Sequence, residues 1–440
     1  MVVPAAASRM VKLLKTLRSR HRGGHIGGQV AVCSIHPQVL QAAARQAQKD
    51  QSLLLVETTA HQVNRCGGYS GMTPVDFAGS LQRLAAEHGL APGRVLLGAD
   101  HLGPHPWRHL PSHQAMAQAE ALVQAVVMAG YHKLHLDTAR SCVDDPQGGV
   151  PPEVASRRAA ALCRTAESTA LQAGTAPPLY VIGTEVPAPG GSLAASGAIA
   201  ITEPQDLQDE LHHYRNAFRR AGVAQVWERV VAVVVQPGVD FDDHRTATYQ
   251  PAAAAALSAF HDQLPDPMTF EVHAADYQSP AALTHLVRDH FTLLKVGPCL
   301  TFALREALMA LAHIEDALPG LTNRSNLIAV MEQLMLKDPQ HWRRHYRGSA
   351  AELRYLRRYS LRDRIRYYWS DAHARQACET LITNLHRPIP RALLRQFLPD
   401  LDDAVSSAAL TPTPQAIIQR RIQAALQPYS QACRNRTKAQ

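Results

Sequence analysis

Aromatic residues make up only 5% of this 440-residue chain, and its seven cysteines never form a C-x-x-C pair. No aromatic signature of RNA binding and no zinc-finger spacing is present, so nucleic acid is not an expected partner. Scattered cysteines argue against a disulfide scaffold and for free thiols in a reducing compartment. No apolar run approaches the ~18 residues of a membrane-spanning helix. The N-terminus lacks an apolar stretch followed by a small-residue cleavage site, so a cytoplasmic protein with no membrane partner is expected. No G-x-G-x-x-G run follows the first strand-like segment, which weakens a dinucleotide-binding reading.

Acidic residues are also in short supply. Lys and Arg number 45 against 37 Asp and Glu, for a formal charge of +8. Such a balance fits an anionic, phosphorylated substrate. The basic residues gather toward the ends: Met10–Arg22 reads as a basic amphipathic helix, and Arg343–Arg366 is rich in arginine.

What the chain does have is a rhythm. Eight short apolar runs stand at Gln29–Ser34, Leu53–Thr59, Val95–Ala99, Lys133–Asp137, Leu179–Glu185, Arg229–Val235, Met268–His273 and Thr292–Val296. Helix-like segments separate them, among them Pro37–Asp50, Pro152–Ala173 and Pro251–Leu264. Runs that are apolar almost throughout suit strands buried on both faces. Eight alternations favour an α/β fold of the (β/α)8 TIM-barrel type over an open doubly wound sheet. The expected organisation is a basic helical arm over 1–28, a barrel over 29–318, and a helical C-terminal region over 319–440 packed on the barrel.

In such a barrel the C-terminal ends of the strands build the active site. Those ends carry Cys33, Ser34, Glu57, Asp100, His101, Asp137, Glu185, Gln236, His273 and Lys295. Adjacent strand residues face opposite ways, so Asp100 and His101 can share a site only if the strand breaks into a turn there. Imidazole and carboxylate suit a divalent metal beside a carbonyl, and His101, Glu185 and His273 are the expected ligands. Zinc suits that set, with manganese or cobalt also compatible. Asp100, Glu185 and Asp137 are the candidate acid–base groups. His135 shares a face with Asp137, as a site group or a buried structural one, while His105 and His109 are expected at the surface.

A glycine-rich loop, Gly67–Thr73, precedes a helix starting near Pro74 and offers backbone N–H groups to an anion. Arg364 and Arg366 could grip a phosphate in fork geometry. With these, Glu57, Asn64, Gly67, Gly68, Thr73, Gln236 and Lys295 are the expected substrate- and phosphate-binding residues. Lys295 reads as a cation, its rival role being a Schiff base.

Several longer motifs resemble those of the GatZ/KbaZ family: Gln62–Pro74, Gly98–Pro104, Ile182–Pro187, Val235–Val239, Lys295–Pro298 and Asp363–Trp369. The resemblance spans about Gln29 to Leu398. It implies a subunit of class II D-tagatose-1,6-bisphosphate aldolase, which yields glycerone phosphate and glyceraldehyde 3-phosphate in galactitol, N-acetylgalactosamine or tagatose catabolism. It also implies a barrel and a partner aldolase chain that this subunit supports, and an oligomer is expected. Related members act alone as metal-dependent ketose-phosphate 4-epimerases. His61 stands where the family pattern leads one to expect Asn. Three functions are therefore open: accessory subunit, self-sufficient enzyme on a ketose phosphate, or non-catalytic sugar-phosphate-binding module.

Overall fold

The computed structural model describes residues 5–146, 149–184, 191, 199–386, 389–407, 410–434, 436 and 437. Eight parallel strands close into a barrel. They are β1 Gln29–Val32, β2 Leu54–Thr59, β3 Val95–Leu102, β4 Lys133–Leu136, β5 Leu179–Ile182, β6 Val230–Val235, β7 Thr269–Val272 and β8 Phe291–Val296. β8 returns to β1, pairing Leu293 with Gln29 and Val296 with Val32. The (β/α)8 expectation therefore holds, and the apolar runs are apolar because helices cover their outer face.

The helices in chain order are α1 Ala5–Arg22, α2 Pro37–Lys49, α3 Pro74–Glu87, α4 Ser112–Met128, α5 Pro152–Ala173, α6 Pro204–Arg220, α7 Ala255–Phe260, α8 Pro280–Arg288 and α9 Pro298–Ala317. Proline stands at the start of most of them, where its missing N–H costs nothing. Thr73 and Asp76 close a capping box at the head of α3. α7 is much shorter than the Pro251–Leu264 helix the sequence suggests, its remainder being turns and the 3-10 segment His261–Gln263.

After the barrel come α10 Leu327–Lys337, α11 Ala350–Tyr359, α12 Ala372–Asn384, α13 Arg391–Phe397, α14 Asp402–Ser406 and α15 Pro414–Cys433. α15 packs against α2, α8 and α9. The segment around residues 341–370 lies beside the barrel mouth. There Tyr277 donates to the Leu361 carbonyl at 2.6 Å, Ser360 bonds Asp243 at 2.7 Å, and Thr301 bonds Asp363 at 2.6 Å.

The barrel interior has two characters. Its lower part is apolar: Leu14 and Leu17 of α1 pack with Ala31, Leu55, Leu96, Val181, Val231 and Leu293. α1 is thus the floor of the barrel, and its apolar stripe faces inward. Arg18 on the same helix donates to the carbonyl of Asp262 at 3.1 Å and pairs with Asp266. Nearby, His21 Nδ1 lies 3.0 Å from His290 Nδ1, and the His261 ring stacks on His290 at 4.3 Å. The upper part of the interior is charged.

Candidate active site

Inward positions alternate along a strand, and here several of them are ionisable. Lys133 and His135 of β4 point in together, followed by Asp137. Glu271 of β7 and His273 just beyond its end do the same, as do Glu57 on β2 and Lys295 on β8. Among the deeper groups, Lys133 Nζ bonds Glu57 at 2.7 Å and Glu271 at 2.6 Å. Lys295 Nζ pairs with Glu57, with Asp100 at 2.7 Å and with Glu271 at 3.7 Å. Both lysines, Glu57 and Glu271 are buried. A Cβ on Gly98 would come within 2.7 Å of the Glu57 side chain, so this layer needs a glycine on β3.

Above that layer sit three histidines, each held through one ring nitrogen by a different carboxylate. His135 Nδ1 bonds Asp100 Oδ1 at 2.7 Å, His101 Nδ1 bonds Asp137 Oδ2 at 3.0 Å, and His273 Nε2 bonds Glu271 Oε1 at 3.0 Å. With the carboxylates ionised, the bonds to His135 and His273 put the proton on the bonded nitrogen and leave a lone pair on the other. His101 differs: its Nε2 lies 3.4 Å from Asp100 Oδ2, and although burial would lower it, Asp100 and Asp137 raise it above its ordinary value. The three rings lie 5.1–5.4 Å apart. His135 Nε2 is buried with no hydrogen-bond partner. Ligand atoms of Asp100, His135, Glu271 and His273 all lie within 4.8 Å of one another. Buried imidazoles oriented by carboxylates, with an orphaned nitrogen among them, suit a divalent metal.

The electrostatics agree with that arrangement. Burial would raise Asp100, but His101, Lys295 and His273 hold it well below the usual carboxylate range. Burial and then Lys295 push His273 down to about 3, which keeps it neutral. Burial would lower Lys295, yet Asp100 and Glu57 raise it well above its ordinary value. A locked ammonium is not a free nucleophile, so the Schiff-base alternative loses its chemical requirement.

Asp100 and His101 do share the site, though not by the route the sequence suggests. β3 does not end at Ala99 but runs on to Leu102, with an irregularity in its pairing to β4 between Ala99 and Leu102. His101 sits at φ 52°, in the left-handed region. The irregularity and that backbone turn bring two consecutive side chains to one face. Gly103 follows because a Cβ there would fall 1.7 Å from the Asp137 carbonyl oxygen.

These groups open onto a cavity of about 1410 Å³ at the barrel mouth. Asp100, His101, His273 and Lys295 line it from the strands, and Arg364, Arg366, Tyr367 and His341 from the C-terminal region. Gly68 and Asn64 also line it, but the Asn64 side chain is engaged in its own loop, accepting from Cys66 and Gly68 N–H at 2.8 and 3.1 Å. Glu57 and Asp137 lie behind the lining residues as partners of Lys295 and His101. Thr73 caps α3, Gly67 shapes the loop at φ 97°, and Gln236 accepts from Gly238 and Val239 N–H. Glu185 lies outside the described residues.

His105, expected at the surface, is half-buried in the cavity wall, whereas His109 lines the cavity rim and is exposed as expected. His105 packs edge-on to His61 at 5.4 Å, and burial pushes each of that pair down to about 4. The sequence reading missed Lys133 and Glu271. Their signal was the i, i+2 spacing to His135 and His273 in otherwise apolar strands. The usual phosphate seat at a barrel helix is already filled here. Asp276 accepts the N–H groups of Gly297 and Cys299 at the head of α9, at 3.1 and 2.9 Å.

Residues 14–434 match the model of a family described as D-tagatose-1,6-bisphosphate aldolase subunit GatZ/KbaZ-like. A solved structure described as a probable tagatose 6 phosphate kinase from Sinorhizobium meliloti 1021 is 40% identical. It covers 92% of this chain and 100% of its own, with a TM-score of 0.85. A fructose-bisphosphate aldolase from Campylobacter jejuni is 12% identical, with a TM-score of 0.46 over 86% of this chain and 93% of its own. The barrel with its charged, histidine-lined mouth thus stands on a chain that belongs to the GatZ/KbaZ-like family of D-tagatose-1,6-bisphosphate aldolase subunits.

Proposed function

We propose that this chain carries a metal-dependent site of its own and breaks and remakes the C3–C4 bond of a phosphorylated ketose, as a 4-epimerase or an aldolase. The observation that carries the reading is the trio His101, His135 and His273, each steadied by its own carboxylate, with His135 Nε2 buried and unpartnered. His101, His135 and His273 would hold the ion. Zinc is the best match to imidazole ligands, with manganese or cobalt compatible. Glu185 is retained from the sequence as a further ligand or acid–base group. Such an ion, when bound, polarises a carbonyl and stabilises the charge of an enediolate.

The remaining work falls to side chains. Asp100, kept ionised by its neighbours, accepts the proton of a substrate hydroxyl. Lys295 fixes Asp100 in place and adds positive charge to the floor of the cavity. Arg364 and Arg366 are set to meet phosphate from the other wall, and the Asp276 plug at α9 is a reason to look for it there.

A second reading starts from the family description, a D-tagatose-1,6-bisphosphate aldolase subunit: this chain would support a separate catalytic class II aldolase chain in tagatose or galactitol catabolism. The test is to assay the purified chain with fructose 6-phosphate, tagatose 6-phosphate and tagatose 1,6-bisphosphate, with and without EDTA and added metal. Metal-dependent turnover by the chain alone is expected. Turnover only after a class II aldolase chain is added would establish the supporting role instead. ATP-dependent phosphorylation would favour the activity named for the 40%-identical relative.

A further inference from the structure

We propose that Tyr367 is a second proton-transfer residue of this cavity, serving the hydroxyl position that Asp100 does not reach. The inference rests on the ketose-phosphate reading and deepens it. Tyr367 belongs to the 3-10 turn Arg364–Tyr368 and lines the same cavity as Asp100, His101, His273 and Lys295. Its hydroxyl accepts from Arg366 Nη2 at 3.0 Å. The guanidiniums of Arg366 and Arg364 stand 4.5 and 5.2 Å from its ring centre. His341 stacks on the ring at 4.7 Å, and Tyr69 meets it edge-on at 4.6 Å. The ring is clamped on two sides and its oxygen sits beside two fixed cations.

The charged and titratable neighbours come from three elements: Arg364 and Arg366 from its own turn, Tyr69 from the loop after β2, and His341 from the turn after α10. Burial alone would raise the Tyr367 phenol, but Arg366 and then Arg364 bring it below its ordinary value. Tyr69 goes the other way, pushed up to about 12 by burial and by Tyr367. His341 is lowered by burial and adds no charge of its own. Of the two tyrosines, Tyr367 is the one poised to ionise.

The stereochemistry of the reaction gives that phenol a task. In retro-aldol cleavage a base takes the C4 hydroxyl proton, the O–H pair forms the C4 carbonyl, and the C3–C4 pair passes to the C2 carbonyl as an enediolate. Re-addition to the other face of the aldehyde puts the new C4 alkoxide on the opposite side. Asp100, fixed by His135 and Lys295 near the end of β3, meets one of these positions. Tyr367, on the other wall, meets the second. As phenolate it takes the hydroxyl proton of one epimer, and as phenol it returns a proton to that epimer's alkoxide. Each turnover protonates one carrier and deprotonates the other, and exchange with water resets both.

The test uses the full chain, added zinc, and Tyr367→Phe, which keeps the stacked ring. The expected result is a fall in the kcat of epimerisation of about 100-fold or more, with KM held within about threefold. Cleavage of one epimer, followed by trapping glyceraldehyde 3-phosphate, should persist while cleavage of the other is lost. Independently of turnover, tyrosinate absorption should show one tyrosine ionising below the rest in the wild type and not in Tyr367→Phe. Arg366→Gln, a second variant that keeps the hydroxyl, should move the rising limb of the rate–pH curve to higher pH. Unchanged kcat, a loss expressed in KM alone, or identical tyrosinate titrations would overturn the role of Tyr367. A wild-type chain without turnover on any ketose phosphate would instead overturn the reading on which it rests.

Discussion

The histidine beneath the barrel offers a sharp physical test. His261 is fully buried, and neither of its ring nitrogens has a hydrogen-bond partner. Its ring stacks on His290 and meets Phe270 at 5.7 Å and His21 at 6.3 Å. Burial first, then His290, His21, Arg18 and Arg22, push it down to about 2. Asp262 Oδ1, at 3.9 Å and largely solvent-exposed, is the acid facing it. In the unfolded chain the imidazole titrates near ~6.5. A base whose folded pKa is depressed leaves the unfolded chain binding the extra proton. Its contribution is therefore intact above about pH 6.5 and lost as pH falls below it. At ~1.36 kcal/mol per pH unit over the ~1.5 units down to about pH 5, the loss is about 2 kcal/mol.

His261→Leu removes the titration at nearly constant volume and breaks no side-chain hydrogen bond. Urea unfolding followed by circular dichroism, at about pH 7.5 and about pH 5, should show the wild type losing about 2 kcal/mol more than the variant. Equal losses would refute the reasoning, because every other titrating group is common to both chains.

Two further predictions concern the upper barrel. Lys133→Ala would leave Glu57 and Glu271 with Lys295 as their shared cation, and Glu271 only at 3.7 Å from it. A loss of about 3–5 kcal/mol is expected from breaking a buried ion-pair set. A loss below about 1 kcal/mol in urea would show the layer to be dispensable. Gly103→Ala would drive a methyl into the Asp137 carbonyl and displace the carboxylate that orients His101. Zinc affinity measured by competition with a chelator should fall about 10–100-fold, and an unchanged affinity would remove Asp137 from the supporting role.

The strands were legible because a strand buried on both faces must be apolar on both. The polar groups at strand ends stood out against that background, which is why Asp100, His101, His273 and Lys295 could be gathered from sequence. Lys133 and Glu271 were harder, since a charge inside a barrel is tolerated only through a partner on another strand. That pairing is set by barrel closure rather than by neighbours in sequence. His105 looks like a surface residue until the segment around His341 and Tyr367 encloses the space above it. α1 shows the same limit: one apolar stripe with basic flanks describes a free arm and a barrel floor equally well. The joint orientation of Asp100 and His101 needed the left-handed turn at His101, which no local pattern announces.

The seam beneath the barrel bears on how the chain is made. His25–Ile26 pairs antiparallel with Arg436–Thr437, and Gly28 N–H donates to the Cys433 carbonyl at 3.0 Å. The segment just after α1 thus finds its partners almost a whole chain length later, and β1 must wait for β8 to close the ring. Contacts of such long range slow folding and leave early segments exposed during synthesis. The apolar stripe of α1 has no finished barrel to cover until Phe291–Val296 has closed the ring, so α1 stays uncovered while all eight strands are made.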